Sequence, residues 1–67
     1  MIISINNNDV EFSSDDLTIA ELIEQQRISK SGTAIAVNDK IVRHDQWDSF
    51  RLKDCDRLTV ISAAFGG

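Results

Sequence analysis

Only one stretch of this chain carries the apolar spacing of a helix, and it lies among segments that alternate. Thr18 is followed three residues later by Glu21, the spacing of a reciprocal capping box. Leu17 and Leu22 occupy the two positions where a hydrophobic staple would close over that box. Ile19, Leu22 and Ile23 then fall on one stripe, with Glu21, Glu24 and Gln25 turned away from it. The spacing predicts a short helix that gives out near Arg27, and Ser29-Lys30-Ser31-Gly32 reads as a loop. A helix so short cannot bury its stripe alone, so it must lie across a sheet.

The flanking segments supply that sheet. Met1, Ile3 and Ile5 alternate with Ile2, Ser4 and Asn6. The Asn6-Asn7-Asn8-Asp9 cluster tolerates the positive φ of a tight turn, and Val10 and Phe12 alternate beyond it. A β-hairpin over 1–13 is expected. Thr33-Ala34-Ile35-Ala36-Val37 alternates with Ile35 and Val37 on one face; Asn38-Asp39-Lys40 turns the chain, and Ile41-Val42 continues extended. Residues 43–50 read as an irregular turn pinned by Trp47 and Phe50, Arg51-Leu52 as a brief strand, and Lys53-Asp54-Cys55-Asp56 as turn. Residues 57–62 alternate again, with Leu58 and Val60 opposed to Thr59 and Ile61. The expected fold class is α+β, a roll in which a mixed sheet of about four to five strands carries the helix on one face. First and last strands lying side by side would be parallel, which would make the last strand central.

Size and charge narrow the function. At 67 residues the chain is one domain that buries roughly 60% of its unfolded surface, so an elaborate catalytic cleft does not fit. Eleven acidic residues against seven basic give a net charge of −4, and no basic cluster overrides it, which disfavours nucleic acid. The single cysteine, Cys55, cannot form an internal disulfide, so a reducing cytoplasm is expected. The longest apolar run, Ala34 to Val37, falls far short of the roughly twenty residues that cross a bilayer. The start MIISINNNDV has neither a basic flank nor an apolar stretch, so no secretory leader is expected.

There are three glycines and no proline, and two of the glycines are Gly66 and Gly67. At a glycine frequency of about 7%, a terminal pair arises by chance in roughly 0.5% of chains. A frayed end is the ordinary explanation of such residues. A diglycine, however, stabilises no fold; lacking Cβ atoms it can thread a narrow channel, and the one reactive group it delivers is the Gly67 carboxylate.

With that tail, the chain resembles the ThiS family of sulfur carriers over its whole length. The resemblance rests on Leu17-Thr18-Ile19-Ala20-Glu21-Leu22-Ile23, on Ile35-Ala36-Val37-Asn38-Asp39-Lys40-Ile41-Val42, on Trp47, and on Asp54-Cys55-Asp56-Arg57-Leu58. Two positions depart from the family pattern. Arg43-His44 stand where members usually carry Pro-Arg, and Cys55 stands where they usually carry the glycine of Asp-Gly-Asp.

The resemblance implies a ubiquitin-like β-grasp domain over 1–67, with a flexible tail at 63–67, working in thiamin biosynthesis as a carrier and not an enzyme. A ThiF-like adenylyltransferase would use ATP and magnesium, neither bound by this chain, to convert the Gly67 carboxylate into an acyl-adenylate. Sulfur from a donor such as a cysteine desulfurase relay would then leave a thiocarboxylate on Gly67, for delivery to a ThiG-like thiazole synthase. Ala63, Ala64, Phe65 and Gly66 would enter the partner's channel. Ile2, Ala34, Ala36, Thr59 and Ile61 share the sheet face away from the helix and are expected to form the partner-binding face. Phe65 and Ile61 are expected to contact the adenylating enzyme, and the free chain is expected to be a monomer.

Other residues attract chemical readings with less support. Cys55 lies between two aspartates that disfavour its thiolate. His44 reads as a surface loop residue, with no second histidine to share a metal, and Trp47 as a core plug. Asp15 and Asp16 sit where they would favour the helix dipole. Three alternatives stay open from sequence: a molybdopterin-synthase small-subunit type of carrier, a ubiquitin-like modifier, and a passive β-grasp binding module.

Overall fold

The computed structural model describes residues 1–62. Strands β1 (Ile2–Ile5) and β2 (Asn8–Glu11) form the opening hairpin, and its turn places Asn6 and Asn7 at φ 50° and 71°. That is the left-handed region in which asparagine is the least costly residue after glycine. The turn is tighter than the four-residue cluster implied, since Asn8 and Asp9 already belong to β2.

Helix α1 (Ile19–Gln25) begins on the expected box. Glu21 N donates to Thr18 Oγ1 at 3.2 Å, and Thr18 N donates to Glu21 Oε1 at 2.9 Å. The next two free amides are met from far along the chain: Ile19 N donates to the Phe50 carbonyl at 3.1 Å and Ala20 N to the Trp47 carbonyl at 3.0 Å. The helix start is thereby saturated without water. At the other end, Ile28 N donates to Ile23 O and Arg27 N to Glu24 O, a Schellman closure with Arg27 at φ 56° where glycine is usual.

Extended backbone just before the helix, at Leu17–Thr18 (β3), pairs antiparallel with Arg51–Leu52 (β6). Arg51–Leu52 is the brief strand expected from sequence, whereas its partner at Leu17–Thr18 was not legible there, because a residue serving as helix cap carries no strand period. Asp16 ion-pairs with Arg51 beside this pairing.

The main sheet also holds β4 (Thr33–Val37), β5 (Lys40–Val42) and β7 (Arg57–Ser62), in the order β2-β1-β7-β4-β5. β7 is central, parallel to β1 (Ile5 opposite Leu58) and antiparallel to β4 (Ile35 opposite Val60). Ile3, Ile35 and Leu58 from the sheet meet Ile19, Leu22 and Ile23 from α1 in a core that excludes water from all six. The β-grasp roll expected from sequence is the fold observed.

Two turn asparagines also stitch the central strand. The Asn6 side chain accepts from Val60 N at 2.8 Å and donates to Val60 O at 3.3 Å, standing in for a peptide group one step beyond β1. Asn38 (φ 50°) accepts from Arg57 N at 3.0 Å. Each asparagine supplies a left-handed corner and a long-range bond together.

Candidate functional site

Beyond Ser62 the tail positions Ala63, Ala64, Phe65, Gly66 and Gly67 lie outside the described residues. What the structure places is their root, at the end of the central strand with Thr33 opposite Ser62. The sheet face away from α1 leads up to that root. Ile61 stands opposite Ala34, and Thr59 opposite Ala36, which in turn faces Ile41 on β5.

The five face residues named from sequence do share one side, yet they do not form one patch. Ala36 is 7% exposed, because longer neighbours on both adjacent strands overhang its methyl group. Ile2 is 45% exposed but lies at the far end: the Ser4–Arg57 register sets it level with Cys55, six residues and about 20 Å from Ile61. Between them runs a polar seam of Ser4, Asp9 and Arg57, the last ion-paired to Asp39 at 3.1 Å. The apolar surface nearest the tail root is therefore Ala34, Thr59 and Ile61, extended by Ile41, the most exposed large apolar side chain of the described residues at 64%.

The sequence reading passed over Ile41, although the signal was present. A two-residue Asn38-Asp39 turn forces Val37 opposite Lys40, and hence Ile41 onto the face of Ala36.

Around this surface the remaining candidates have structural work. Trp47 is 1% exposed and donates its Nε1 proton to the Val42 carbonyl at 2.9 Å. The His44 ring stacks on it with centroids 4.1 Å apart and places Nε2 2.6 Å from the Thr33 carbonyl. His44 is thus engaged with backbone at the row where β7 leaves the sheet. No three potential metal-ligating side chains cluster among the described residues, and no helix there is long and apolar enough to cross a membrane.

At the far end, the Lys53–Asp56 turn grips β1. Asp54 Oδ1 accepts from Ile2 N at 2.7 Å, and Cys55 N donates to Ile2 O at 2.8 Å. Acceptance from Ile2 holds the Asp54 carboxyl below its ordinary range, and the Asp54 charge in turn pushes the exposed Cys55 thiol up. A thiol held protonated is a poor nucleophile, in line with the charge argument from sequence. Because the Asp54 pKa is depressed on folding, its contribution is present above the unfolded value and lost as pH falls through the folded one. In urea unfolding across a pH series, Asp54→Asn should lose less stability on acidification than the parent chain; parallel losses would contradict this.

Cys55 itself adopts φ 70°, the left-handed region that glycine occupies without steric cost. Cys55→Gly should raise the unfolding free energy by about 1 kcal/mol, read from the urea midpoint at constant slope. An unchanged or lower midpoint would mean the left-handed corner carries no cost here.

A sequence profile of the ThiS family matches residues 2–67, nearly the entire chain and including the diglycine. The chain belongs to the ThiS family. The sulfur carrier protein ThiS of Escherichia coli strain K12 is 34% identical over 50 residues, which cover 75% of this chain and 76% of that protein. The crystal structure of the thiamine biosynthesis protein ThiS from Geobacter metallireducens superposes with a TM-score of 0.87, covering 100% of both chains at 17% identity. A solution structure of a thiamine biosynthesis protein from the same organism gives 0.82, covering 100% of this chain and 88% of that one, also at 17% identity. At such identity these two likenesses speak for the fold. Arg43 pairs with Asp45 at 3.7 Å on the surface.

Proposed function

We propose that this chain is a sulfur carrier of thiamin biosynthesis whose working group is the α-carboxylate of Gly67. The observation that carries the reading is the family match running through Gly66 and Gly67 on a β-grasp fold. The chain acts as a protein co-substrate and not as an enzyme. A ThiF-like adenylyltransferase, using its own ATP and magnesium, transfers AMP to the carboxylate with release of pyrophosphate. A carboxylate resists nucleophiles, whereas the mixed anhydride has a good leaving group. A persulfide sulfur attacks the acyl carbon and AMP departs; a thiol then cleaves the acyl disulfide and leaves the thiocarboxylate. A ThiG-like thiazole synthase receives that sulfur.

The carrier's part is a reachable terminus and a docking surface. Ala34, Thr59, Ile61 and Ile41 supply apolar surface beside the tail root, and Phe65 adds an aromatic anchor to the tail. A cytoplasmic setting suits the free, exposed Cys55.

Intact-mass measurement after incubation with ATP, magnesium, a ThiF-like adenylyltransferase and a sulfur donor tests the reading. The expected increment equals the mass of sulfur minus that of oxygen. An unchanged mass under conditions that load a known carrier would favour a passive module. Adducts of whole-protein mass would favour a modifier.

A further inference from the structure

On the helix side of the sheet, where the Asn38-Asp39 turn meets the Lys53–Asp56 turn, lies an open cavity of about 370 Å³. Its floor is apolar, formed by Val37, Val42 and the half-buried Phe50. Its rim is cationic: Lys40, Arg51 and Lys53 are three of the chain's seven basic residues, gathered on a protein of net charge −4.

Those charges are not equally free. Arg51 is taken by Asp16. Asp56, the acidic residue of the rim, has both oxygens occupied, one by Lys53 N at 2.8 Å and one by the Asn38 amide at 3.1 Å. The ammonium groups of Lys40 and Lys53 have no carboxylate at ion-pair distance among the described residues. With Arg51 balanced by Asp16, two lysines against the single Asp56 carboxylate leave the rim net positive over an apolar floor, which complements an apolar side chain flanked by carboxylates. The bordering strand β5 is a three-residue edge that opens on a lysine, features that discourage backbone strand addition, so the occupant is read by its side chains.

We propose that this groove docks an acidic segment of a partner protein, its apolar side chain resting on Phe50 and its carboxylates meeting Lys40 and Lys53. The groove faces away from the Ile61 surface and uses no tail residue, so it stands apart from the sulfur-loading reading and can fail without it.

The test is a titration of the ¹⁵N-labelled chain with the end-blocked peptide Glu-Glu-Phe-Glu-Glu, followed by amide shifts. Saturable shifts should centre on Lys40, Val42, Phe50 and Lys53. The same peptide with serine for phenylalanine should bind at least about tenfold more weakly, because the apolar contact is lost. The double variant Lys40→Glu/Lys53→Glu should weaken the phenylalanine peptide by about tenfold or more while leaving the urea midpoint nearly unchanged, since both side chains are exposed. Equal binding of the serine peptide would reduce the effect to bulk charge and overturn the proposal. So would the absence of saturable shifts, shifts centred on another surface, or indifference to the double reversal.

Discussion

Deleting Gly67 abolishes sulfur loading and leaves the domain folded: this is the expected result with the largest functional effect. The core is assembled from residues between Ile3 and Leu58, and the last strand ends at Ser62. A terminal glycine has no side chain to contribute to it. The deletion moves the chain's carboxylate back by one residue, about 3.3–3.6 Å of extended chain. An acyl carbon displaced that far from the adenylating centre loses its attack geometry, and a misplacement of even 1 Å costs on the order of 100-fold. Loading measured by intact mass should fall by at least about that factor, with the urea midpoint and amide spectrum of residues 1–62 unchanged. Retained loading would show that the reacting group is not Gly67. Unfolding on deletion would show that the tail has a structural role, contrary to the carrier reading.

The largest expected effect on stability belongs to Trp47→Ala. The indole is fully enclosed, caps the end of the roll, and donates its own proton to the Val42 carbonyl. It is also the surface on which His44 stacks. Truncating a buried tryptophan costs about 3–5 kcal/mol. A domain of this length holds roughly 3–10 kcal/mol in total. The alanine variant should therefore be largely unfolded at 37 °C, seen as collapse of amide dispersion. Trp47→Phe keeps most of the packing and removes one hydrogen bond, the indole donation to a Val42 carbonyl that the β4–β5 ladder also engages. It should fold with a deficit of about 0.5–1.5 kcal/mol. An alanine variant within about 1 kcal/mol of the parent would contradict the plug role.

Much of the architecture could be read residue by residue because its signals act over short spans. The Thr18–Glu21 box marks the helix start through bonds between side chain and backbone three residues apart. Asn6-Asn7 and Asn38-Asp39 announce their turns because few residues tolerate positive φ, and alternation assigns faces to Ile3, Ile35 and Leu58. The site was legible less evenly. Thr59, Ile61 and Ala34 were placed correctly on the face leading to the tail root, whereas Ala36 was expected to be displayed and is covered. Period two states which way a side chain points, but not how far its neighbours overhang it.

By itself, the sequence determined the local elements, the parity of each strand, and the diglycine that the ThiS family match includes. Only the tertiary structure decided what those elements meet. It set Ile2 remote from Ile61, paired Leu17–Thr18 with Arg51–Leu52, and joined Asn6 to Val60 across 54 residues. It also brought Lys40 and Lys53 to one groove. The physical reason is that φ preference, capping and apolar period act within a few residues, whereas register between distant strands comes from packing a shared core. That choice is made jointly by side chains spread along the whole fold, and no short window of sequence contains it.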